Sequence, residues 1–310
     1  MAKRPIRIDL SVRTLVEHSA TLPRMRVART ADTLVEPLFS SVGDAACTGI
    51  PRACAEPADF VVLASSSSGN CSALIHGEGK LRRVTLIDAG LSPLRTRRTL
   101  ASFGLTLDHI DDVLITHLDA DHFNPSWIRA LPRRTRLHLH ALHAPRARRE
   151  GLPIERFQTY TEPMTLRSGA IAHPLVMSHD AWGVVVFRID LGTESLGYAT
   201  DVGQTSPELT GAMAGVDVLA IESNYCPDLL HASDRPDFLK HRISGGAGHL
   251  SNHQCAQTVR KAAPRRHVVL LHLSRQCNTP EAASAPHAGA PYALTVAHDR
   301  EPTRPLRVGA

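Results

Sequence analysis

The sequence predicts an α/β fold in which two stacked β-sheets are flanked by helices. From Phe60 onward, short apolar segments alternate with polar turns, as in FVVLA, SSSSGN, CSALIHG and VTLIDAG, and this pattern is typical of short buried strands. Few helix-like segments separate the strands, which favours two stacked sheets over one open parallel sheet. The 310 residues are 43% hydrophobic, so the chain can bury the core that such a fold requires.

The elements can be predicted in order along the chain. After the first strands, a helix is predicted in SPLRTRRTLASFG, because Leu94, Leu100 and Phe103 lie near helical spacing and Gly104 can end it. Later strands are predicted in DDVLITH, RLHLHAL, AIAHPLVMSH, WGVVVFRIDL, SLGYATD, VDVLAIESN and HVVLLHLS. Two further helices are predicted, one near PSWIRALP and one that begins near Ser251. The last segments, PYALTVAHD and PLRVGA, predict a closing hairpin.

Residues 1–57 are predicted to form an N-terminal extension that could be disordered, and residues 58–310 to form one domain. The extension lacks sustained periodicity and ends in the loop-rich stretch SSVGDAACTGIPRACAEPAD. No segment approaches the roughly 18 apolar residues of a membrane span, and the N-terminus lacks the apolar core of a signal peptide. The six cysteines include no CxxC pair and are typical of reduced thiols. Together these features predict a cytoplasmic protein with no membrane association.

The charge of the chain permits a phosphate-bearing partner. The formal net charge is +5, and seven arginines with no acidic residue among them lie within residues 129–149. This run could hold a nucleic-acid backbone, with Arg133, Arg134 and Arg136 as the contacts, or it could be a solvated surface. Because only 4% of residues are aromatic, backbone contact is a better expectation than base stacking.

Four side chains that can bind metals follow the predicted strand VLIT: His117, Asp119, Asp121 and His122. Their spacing lets one short loop direct imidazole and carboxylate groups to two neighbouring ions. The alternative is a polar cluster that caps a following helix. Further residues of these types recur at the ends of other apolar strands, where a rigid scaffold can position a site. These residues are Asp88, His179, Asp201 and His272.

The ordered motifs VLASSSSGN, LIDAG, THLDADH, MSHDAWG, ATDVG, IESNYCPDLL, GHLSN and HLSRQCN resemble those of a known family. They are similar to the metallo-β-lactamase-fold hydrolases, and within these to the nuclease-type branch near the YycJ/WalJ exonucleases. The resemblance covers residues 58–310. It implies a hydrolase domain with a four-layer αβ/βα sandwich, in which two mixed sheets are flanked by helices and the metals lie at one edge of the sheets.

The resemblance also implies a role for each matching residue. Asp88 and Glu222 would orient the ligands through hydrogen bonds without binding the ions. The family's second histidine is Asp119 here, and its hard oxygen shifts the metal preference toward Mn²⁺, unless one ion has been lost. Seven residues would bind two divalent ions, Zn²⁺ or Mn²⁺: His117, Asp119 and His179 the first, Asp121, His122 and His272 the second, and Asp201 both.

The implied chemistry is attack by a hydroxide held between the two ions, which makes Asp121 and Asp201 catalytic residues. His249 and His272 lie 23 residues apart, an arrangement similar to that of the tRNA-processing endonucleases of the superfamily. There the earlier histidine transfers a proton and the later one binds metal. His249 would then protonate the leaving oxygen, with Glu222 nearby. The reverse assignment, and a role for His249 in capping the next helix, stay open.

The polar turn SSSSGN offers amides and hydroxyls that could hold a substrate phosphate, with Ser67, Ser68 and Asn70 as the contacts. It could also be only a tight turn in which Gly69 provides a positive φ.

The leading functional prediction is a binuclear metal-dependent phosphodiesterase that hydrolyses nucleic acid, specifically a DNA exonuclease. One alternative is a hydrolase of small thioesters, lactones or lactams, because a fold does not decide a function. The arginine run and the paired His249 and His272 disfavour that alternative. The other alternative is a non-catalytic binding or regulatory protein that retains the fold.

Overall fold

The computed structural model describes residues 57–309 of the chain, and their strands form two sheets of seven strands each. In chain order the strands are β1 (Ala58–Ala64), β2 (Cys71–His76), β3 (Arg83–Ile87), β4 (Ile110–Ile115), β5 (Arg136–His140), β6 (Phe157–Tyr160), β7 (Met164–Thr165), β8 (Ile171–Met177), β9 (Val184–Leu191), β10 (Glu194–Ala199), β11 (Val218–Glu222), β12 (His267–Leu271), β13 (Ala293–Val296) and β14 (Leu306–Val308). The first sheet has the order β14-β1-β2-β3-β4-β5-β6, and the second has the order β13-β12-β11-β10-β9-β8-β7.

The α-helices of the described residues are mostly short, and four of the eight begin at a residue whose side chain caps the helix. Ser92 caps the first helix through its side chain, and Ser251 forms a capping box with Gln254 at the longest helix. The helices are α1 (Pro93–Ser102), α2 (Trp127–Ala130), α3 (Ala144–Arg149), α4 (Pro207–Ala212), α5 (Pro227–Ala232), α6 (Asp237–Ser244), α7 (Asn252–Ala262) and α8 (Pro280–Ser284).

The apolar side chains divide into layers that match a sandwich. Leu114 of the first sheet belongs to the same buried cluster as Phe187 and Val269 of the second, so these residues fill the space between the sheets. Leu100 of α1 belongs to a separate cluster on the outer face of the first sheet. Val259 of α7 belongs to the cluster on the outer face of the second sheet. The predicted four-layer arrangement of helix, sheet, sheet and helix is confirmed.

Strand direction brings one set of strand ends to the same edge. Strands β3 to β6 are parallel to one another, and so are β10 to β13. Strand β9 is antiparallel to both β8 and β10, so β8 runs in the direction of β10. Because the carboxyl ends of parallel strands lie at one edge, the loops after β8, β10 and β12 start from the same edge of the second sheet.

The predicted closing hairpin is wrong. Strand β13 pairs in parallel with β12 in the second sheet, whereas β14 pairs with β1 in the first sheet. The two apolar segments resemble a hairpin locally, but each completes the edge of a different sheet. The short helices α3 to α6 were also not predicted, because helices of six to eight residues show too little periodicity to detect.

The first described strand begins at Ala58, and the predicted N-terminal extension lies outside the described residues except for Pro57. Within residues 57–309, no helix is long and apolar enough to cross a membrane.

Candidate metal centre

Strand ends supply the ligand candidates of this site. The loop His117–His122 follows β4, and His179, Asp201 and His272 come after β8, β10 and β12. Asp201 and His272 both have a φ of 54°, in the left-handed region. That backbone conformation costs a residue with a Cβ about 1–2 kcal/mol. Such strained positions are concentrated at functional sites, where the surrounding structure holds them in place.

Three of the candidates form one group beside Asp201. The Nε2 atoms of His117 and His179 lie 3.6 and 3.9 Å from Asp119 Oδ2. Asp201 Oδ2 lies 3.5 Å from His117 Nε2 and 3.7 Å from His179 Nε2. All four side chains therefore face one small volume.

The other three candidates form a second group that also faces Asp201. His122 Nε2 lies 3.6 Å from Asp121 Oδ2 and 3.2 Å from Asp201 Oδ2. His272 Nε2 lies 3.3 Å from Asp121 Oδ2, and His272 Nδ1 contacts Asp201 Oδ1. The carboxylate of Asp201 thus lies close to imidazoles of both groups.

These separations fit ligands of shared metal ions. Two atoms bound tetrahedrally at about 2.1 Å from one ion lie about 3.4 Å apart, which is longer than a good hydrogen bond. The separations of 3.2 to 3.9 Å within the two groups cluster around that value. The Nε2 atoms of His117 and His272 are buried and make no hydrogen bond within the described residues. Buried imidazole nitrogens without a hydrogen bond are suited to bind metal, so the donor set fits divalent ions.

Asp88 supports the second group by contacting the ring nitrogen of His122 that points away from the other ligand candidates. Its Oδ2 lies 2.7 Å from His122 Nδ1, which directs the other ring nitrogen of His122 toward the site. Its Oδ1 accepts hydrogen bonds from the backbone N and the Oγ1 of Thr116, at 2.9 and 2.8 Å. Asp88 therefore contacts both the ring of His122 and the end of the strand that carries the loop.

Glu222 and His249 form a pair at the rim of the second group. His249 Nδ1 lies 2.6 Å from Glu222 Oε1, and the carboxylate of Glu222 is fully buried. Burial by itself would lower the pKa of His249, but Glu222 raises it above its usual value. His272 faces both Asp121 and Asp201. In His249, by contrast, Nδ1 is bound to Glu222, and the ring lines the cavity.

Arg146 holds Asp119, the aspartate that replaces the family's histidine. Arg146 Nη1 donates to Asp119 Oδ1 at 2.6 Å, and Arg146 Nε donates to Glu150 Oε1 at 2.7 Å. One oxygen of Asp119 is thus bound by α3, and only Oδ2 faces His117 and His179. His117 and then Arg146 lower the pKa of Asp119. Sequence reasoning assigned Arg146 to a basic run and missed this contact.

Facing charges shift the pKa values at the centre of the site. Burial alone would lower the pKa of His122 and of His272, but nearby carboxylates, Asp201 first, raise both well above the usual value. Burial alone would raise the pKa of Asp201, but the two histidines lower it well below the usual value. The carboxylates therefore require positive charge at this point, and divalent cations can provide it.

Asn70 does not lie where a substrate could reach it. It is 1% exposed, and its Oδ1 accepts hydrogen bonds from Ser65 Oγ at 2.9 Å and from Ser66 N at 3.0 Å. Its backbone N donates to the Asp121 carbonyl at 2.7 Å. The structure contradicts the prediction that Asn70 binds substrate, because its polar groups hold the turn against the ligand loop.

Arg133, Arg134 and Arg136 lie at the opposite end of the first sheet from the ligands. Strands β4 and β5 are parallel, and Arg136 pairs with Asp112 near their amino ends, whereas the ligand loop follows the carboxyl end of β4. Arg136 donates to Asp112 at 2.6 and 2.9 Å, and Arg134 donates to the Asp108 carbonyl. The structure contradicts the prediction that these arginines hold a substrate beside the nucleophile. After the ligand loop, the chain crosses to the opposite edge of the first sheet before β5 begins.

A cavity of about 220 Å³ lies over both ligand groups. Ser67 of the polar turn lines it, while the neighbouring Ser68 accepts a hydrogen bond from Arg275 at 3.1 Å. Arg235, which precedes α6, also lines the cavity, and its buried Nε has no hydrogen-bond partner within the described residues. No sequence pattern pointed to Arg235, because it lies in a short loop between two helices that were not predicted.

Comparison with known proteins identifies the family. The sequence profile described as "Beta-lactamase superfamily domain" matches residues 82–273. This chain belongs to the β-lactamase superfamily. The predicted resemblance is confirmed, and with this donor set the superfamily member is a metal-dependent hydrolase.

Two curated relatives within the β-lactamase superfamily carry nuclease names. "Exodeoxyribonuclease WalJ" of Streptococcus pneumoniae is 30% identical over 233 residues, which cover 72% of this chain and 84% of that protein. "Exodeoxyribonuclease YycJ" of Bacillus anthracis is 28% identical over 231 residues, which cover 72% of this chain and 85% of that protein. Among solved structures, the metallo-β-lactamase fold protein YhfI from Bacillus subtilis has a TM-score of 0.61 at 15% identity and covers 80% of this chain and 99% of its own. That likeness supports the fold.

Proposed function

We propose that this protein is a nuclease that holds two divalent ions and removes nucleotides from the end of DNA. The observation that carries the proposal is the pair of ligand groups that share Asp201, each with nitrogen and oxygen atoms spaced as for one bound ion. The names of the two curated relatives support DNA as the substrate. Zn²⁺ and Mn²⁺ both suit a set of imidazoles and carboxylates.

Some of these residues would bind the ions, and others would orient the ligands or bind the substrate. When bound, two divalent ions supply an ionised water at neutral pH and neutralise the charge that develops on a phosphodiester. Asp201 sets the spacing of the two groups because its carboxylate borders both. Asp88 keeps the ring of His122 oriented through a 2.7 Å contact.

Arg235 favours a phosphodiester over a neutral lactone or thioester. Its guanidinium lines the cavity above the ligand groups and pairs with no carboxylate among residues 57–309. An arginine without a carboxylate partner in a half-enclosed site is suited to bind an anionic group through several N–H donors. A phosphate oxygen of the substrate provides that partner.

His249 is the proposed proton donor to the leaving oxygen. Its Nδ1 is bound to the buried Glu222 at 2.6 Å, so the ring is fixed and its other nitrogen is available to the cavity. This assignment leaves His272, which is 2% exposed and faces Asp121, as the ligand. A donor placed in this way typically contributes about 10²–10⁴-fold to the rate of such a reaction.

The test combines metal content with degradation of DNA by the purified full chain. We expect about two ions per chain by elemental analysis. With Mn²⁺ or Zn²⁺, a label at the end of double-stranded DNA should be released before an internal label, and a chelator should stop the release. Asp121→Asn and His122→Ala should each lower the rate at least about 100-fold, because loss of a ligand exceeds the usual effect of losing a supporting hydrogen bond.

The matched control is His253→Ala, which removes an exposed histidine on α7 and should leave the rate and the metal content unchanged. The same purification of all variants excludes a contaminating nuclease. Equal release of the end label by Asp121→Asn and the unmodified chain would overturn the proposal. Two bound ions with cleavage of lactones or thioesters, but of neither DNA nor RNA, would establish the small-molecule hydrolase instead.

A further inference from the structure

A groove of about 470 Å³ lies beside the first ligand group. His117, Asp119 and His179 form part of its wall, so a molecule in the groove would extend directly from the reaction site. The rest of the wall comes from α3, from Arg242 of α6 and from the loop between β8 and β9, which carries Trp182.

The loop that carries Trp182 is held firmly in place. Gly183 N donates to the His179 carbonyl at 2.7 Å, and Gly183 has a φ of 71°, which a residue with a Cβ adopts only with strain. Asp180 N donates to the Ala247 carbonyl at 2.9 Å. Trp182 therefore lies in a loop that backbone hydrogen bonds hold, three residues after the ligand candidate His179.

The charges of the groove leave one arginine without a carboxylate. Arg146 is paired with Asp119 and Glu150. Arg242 binds both oxygens of Asp180, at 2.5 and 3.3 Å.

Arg149 pairs with no carboxylate in the part of the chain that the structure describes. Its guanidinium carbon instead lies 4.6 Å from the centre of the Trp182 ring. A guanidinium stacked on an aromatic ring keeps its N–H donors at the edges free for other partners. Among the groove residues, Arg149 is thus the arginine available for an anionic ligand.

We propose that this groove binds an unpaired nucleotide next to the scissile phosphodiester. The base stacks on the platform formed by Trp182 and Arg149, and the edge of Arg149 binds the adjoining phosphate. Stacking requires a base that is not paired in a duplex, so the preferred substrate is a single strand or a frayed end. Stacking on an indole also tolerates all four bases, which suits removal of successive nucleotides. The inference rests on the proposed nuclease function.

Binding can be measured without cleavage by following tryptophan fluorescence in the presence of a chelator. The chain has two tryptophans, and Trp127 is fully buried with its Nε1 bound to the Leu91 carbonyl. A single-stranded oligonucleotide should therefore quench the emission of Trp182 alone. Trp182→Phe should abolish the quenching but keep most of the affinity, measured with a labelled oligonucleotide. Trp182→Ala should weaken the affinity about tenfold.

Arg149 has its own test, because a phosphate contact contributes to the salt dependence of binding. Arg149→Ala should lower the slope of log affinity against log salt by about 0.7 for a single strand. Arg148→Ala is the matched control, since Arg148 is an exposed neighbour outside the groove and should leave the slope unchanged. A blunt duplex should bind more weakly than the same duplex with a frayed end.

The outcomes separate this inference from the function on which it rests. Bis(p-nitrophenyl) phosphate carries the reacting bond but no nucleobase, so its hydrolysis reports on the metal centre alone. If Trp182→Ala and Arg149→Ala bind oligonucleotides as the unmodified chain does, while hydrolysis of this ester is normal, the groove inference is wrong and the nuclease function stands. If the unmodified chain hydrolyses neither the ester nor DNA with added metal, the proposed function is wrong.

Discussion

Asp119 and Arg146 show how one substitution in a ligand set can be accommodated. Asp119 adds a negative charge at a position where the family that this chain resembles has a neutral imidazole. Here Arg146 binds one carboxylate oxygen at 2.6 Å and leaves the other to face His117 and His179. The arginine balances the added charge and limits Asp119 to one ligand atom. The first group therefore keeps three ligand side chains and gains a hard oxygen.

His249 is predicted to act on the leaving group and not on the metal. We expect His249→Ala to keep its full metal content and to lose about 10²–10⁴-fold in the rate on DNA, whose leaving alkoxide needs a proton. The same variant should hydrolyse bis(p-nitrophenyl) phosphate at nearly the unmodified rate, because p-nitrophenolate leaves without a proton. Elemental analysis and the two rates, measured on one preparation, check the prediction.

The competing assignment gives a different pattern. If His249 is a ligand, His249→Ala should lose an ion and lose activity on both substrates. His253→Ala provides the comparison, because it removes an exposed imidazole from α7, which begins three residues after His249.

At the scale of elements, two turns are packed against each other to hold the ligand loop. Gly90 follows β3, and a Cβ on it would lie 1.8 Å from the Asp121 carbonyl oxygen. Ala89 N donates to the His122 carbonyl at 2.8 Å, so the turn after β3 and the loop after β4 are in direct backbone contact. Glycine is required at this position because backbone atoms occupy the place of a side chain.

Gly90→Ala should therefore displace the ligand loop. We expect a loss of about 1–3 kcal/mol in the free energy of unfolding, which is typical of overpacking, together with a reduced metal content. Denaturant unfolding of the metal-free chain measures the first effect, and elemental analysis measures the second.

Gly211→Ala is the matched control for that substitution. Gly211 lies in α4, and a Cβ on it would have no atom within 4 Å. Because alanine is the better helix former, this variant should be as stable as the unmodified chain or up to about 1 kcal/mol more stable. If Gly90→Ala were as stable as Gly211→Ala and bound as much metal, the close contact between Gly90 and Asp121 would not be what positions the ligand loop.

At the scale of the whole molecule, the candidate metal centre joins the two sheets. The loop His117–His122 comes from the first sheet, while His179, Asp201 and His272 come from the second. Each ligand group contains residues from both sheets. Bound ions should therefore stabilise the sandwich as well as provide the chemistry.

Removal of the ions should lower the Tm of the chain. At a free metal concentration about 100-fold above Kd, binding stabilises by about 2.7 kcal/mol per site. For a domain of this size each site then contributes about 5–10 °C, so removal of two ions should lower the Tm by about 10–20 °C. Thermal unfolding with and without chelator measures the shift.

The double variant Asp121→Asn, His122→Ala provides the control for the thermal measurement, because it lacks ligands of the second group. Its Tm should depend less on chelator than that of the unmodified chain, whereas His253→Ala should keep the full shift. A Tm that is the same with and without chelator would contradict a metal link between the sheets.

The fold class could be predicted, and the ligand candidates could be proposed, because both depend on local patterns. Buried strands are apolar over five to eight residues, and His117, His179, Asp201 and His272 stand within two residues of the ends of such runs. Asp88 could be anticipated for the same reason. The predictions that Asn70 and Arg136 bind the substrate are wrong, because these side chains bind Ser65 and Asp112 instead. Those partners depend on how the turns and strands pack.

The amino-acid sequence alone predicts a layered α/β protein in which histidines and aspartates able to bind metal stand near the strand ends. Three contacts became visible only in the folded chain: Asp201 faces both ligand groups, Arg146 binds Asp119, and Arg149 reaches Trp182. The physical reason is that strand formation follows from side chains a few residues apart. These contacts instead join residues 27 to 84 positions apart. Arg146 reaches Asp119 once β4 and β5 have paired, whereas the contacts of Asp201 with the first sheet and of Arg149 with Trp182 form only after the two sheets have packed together.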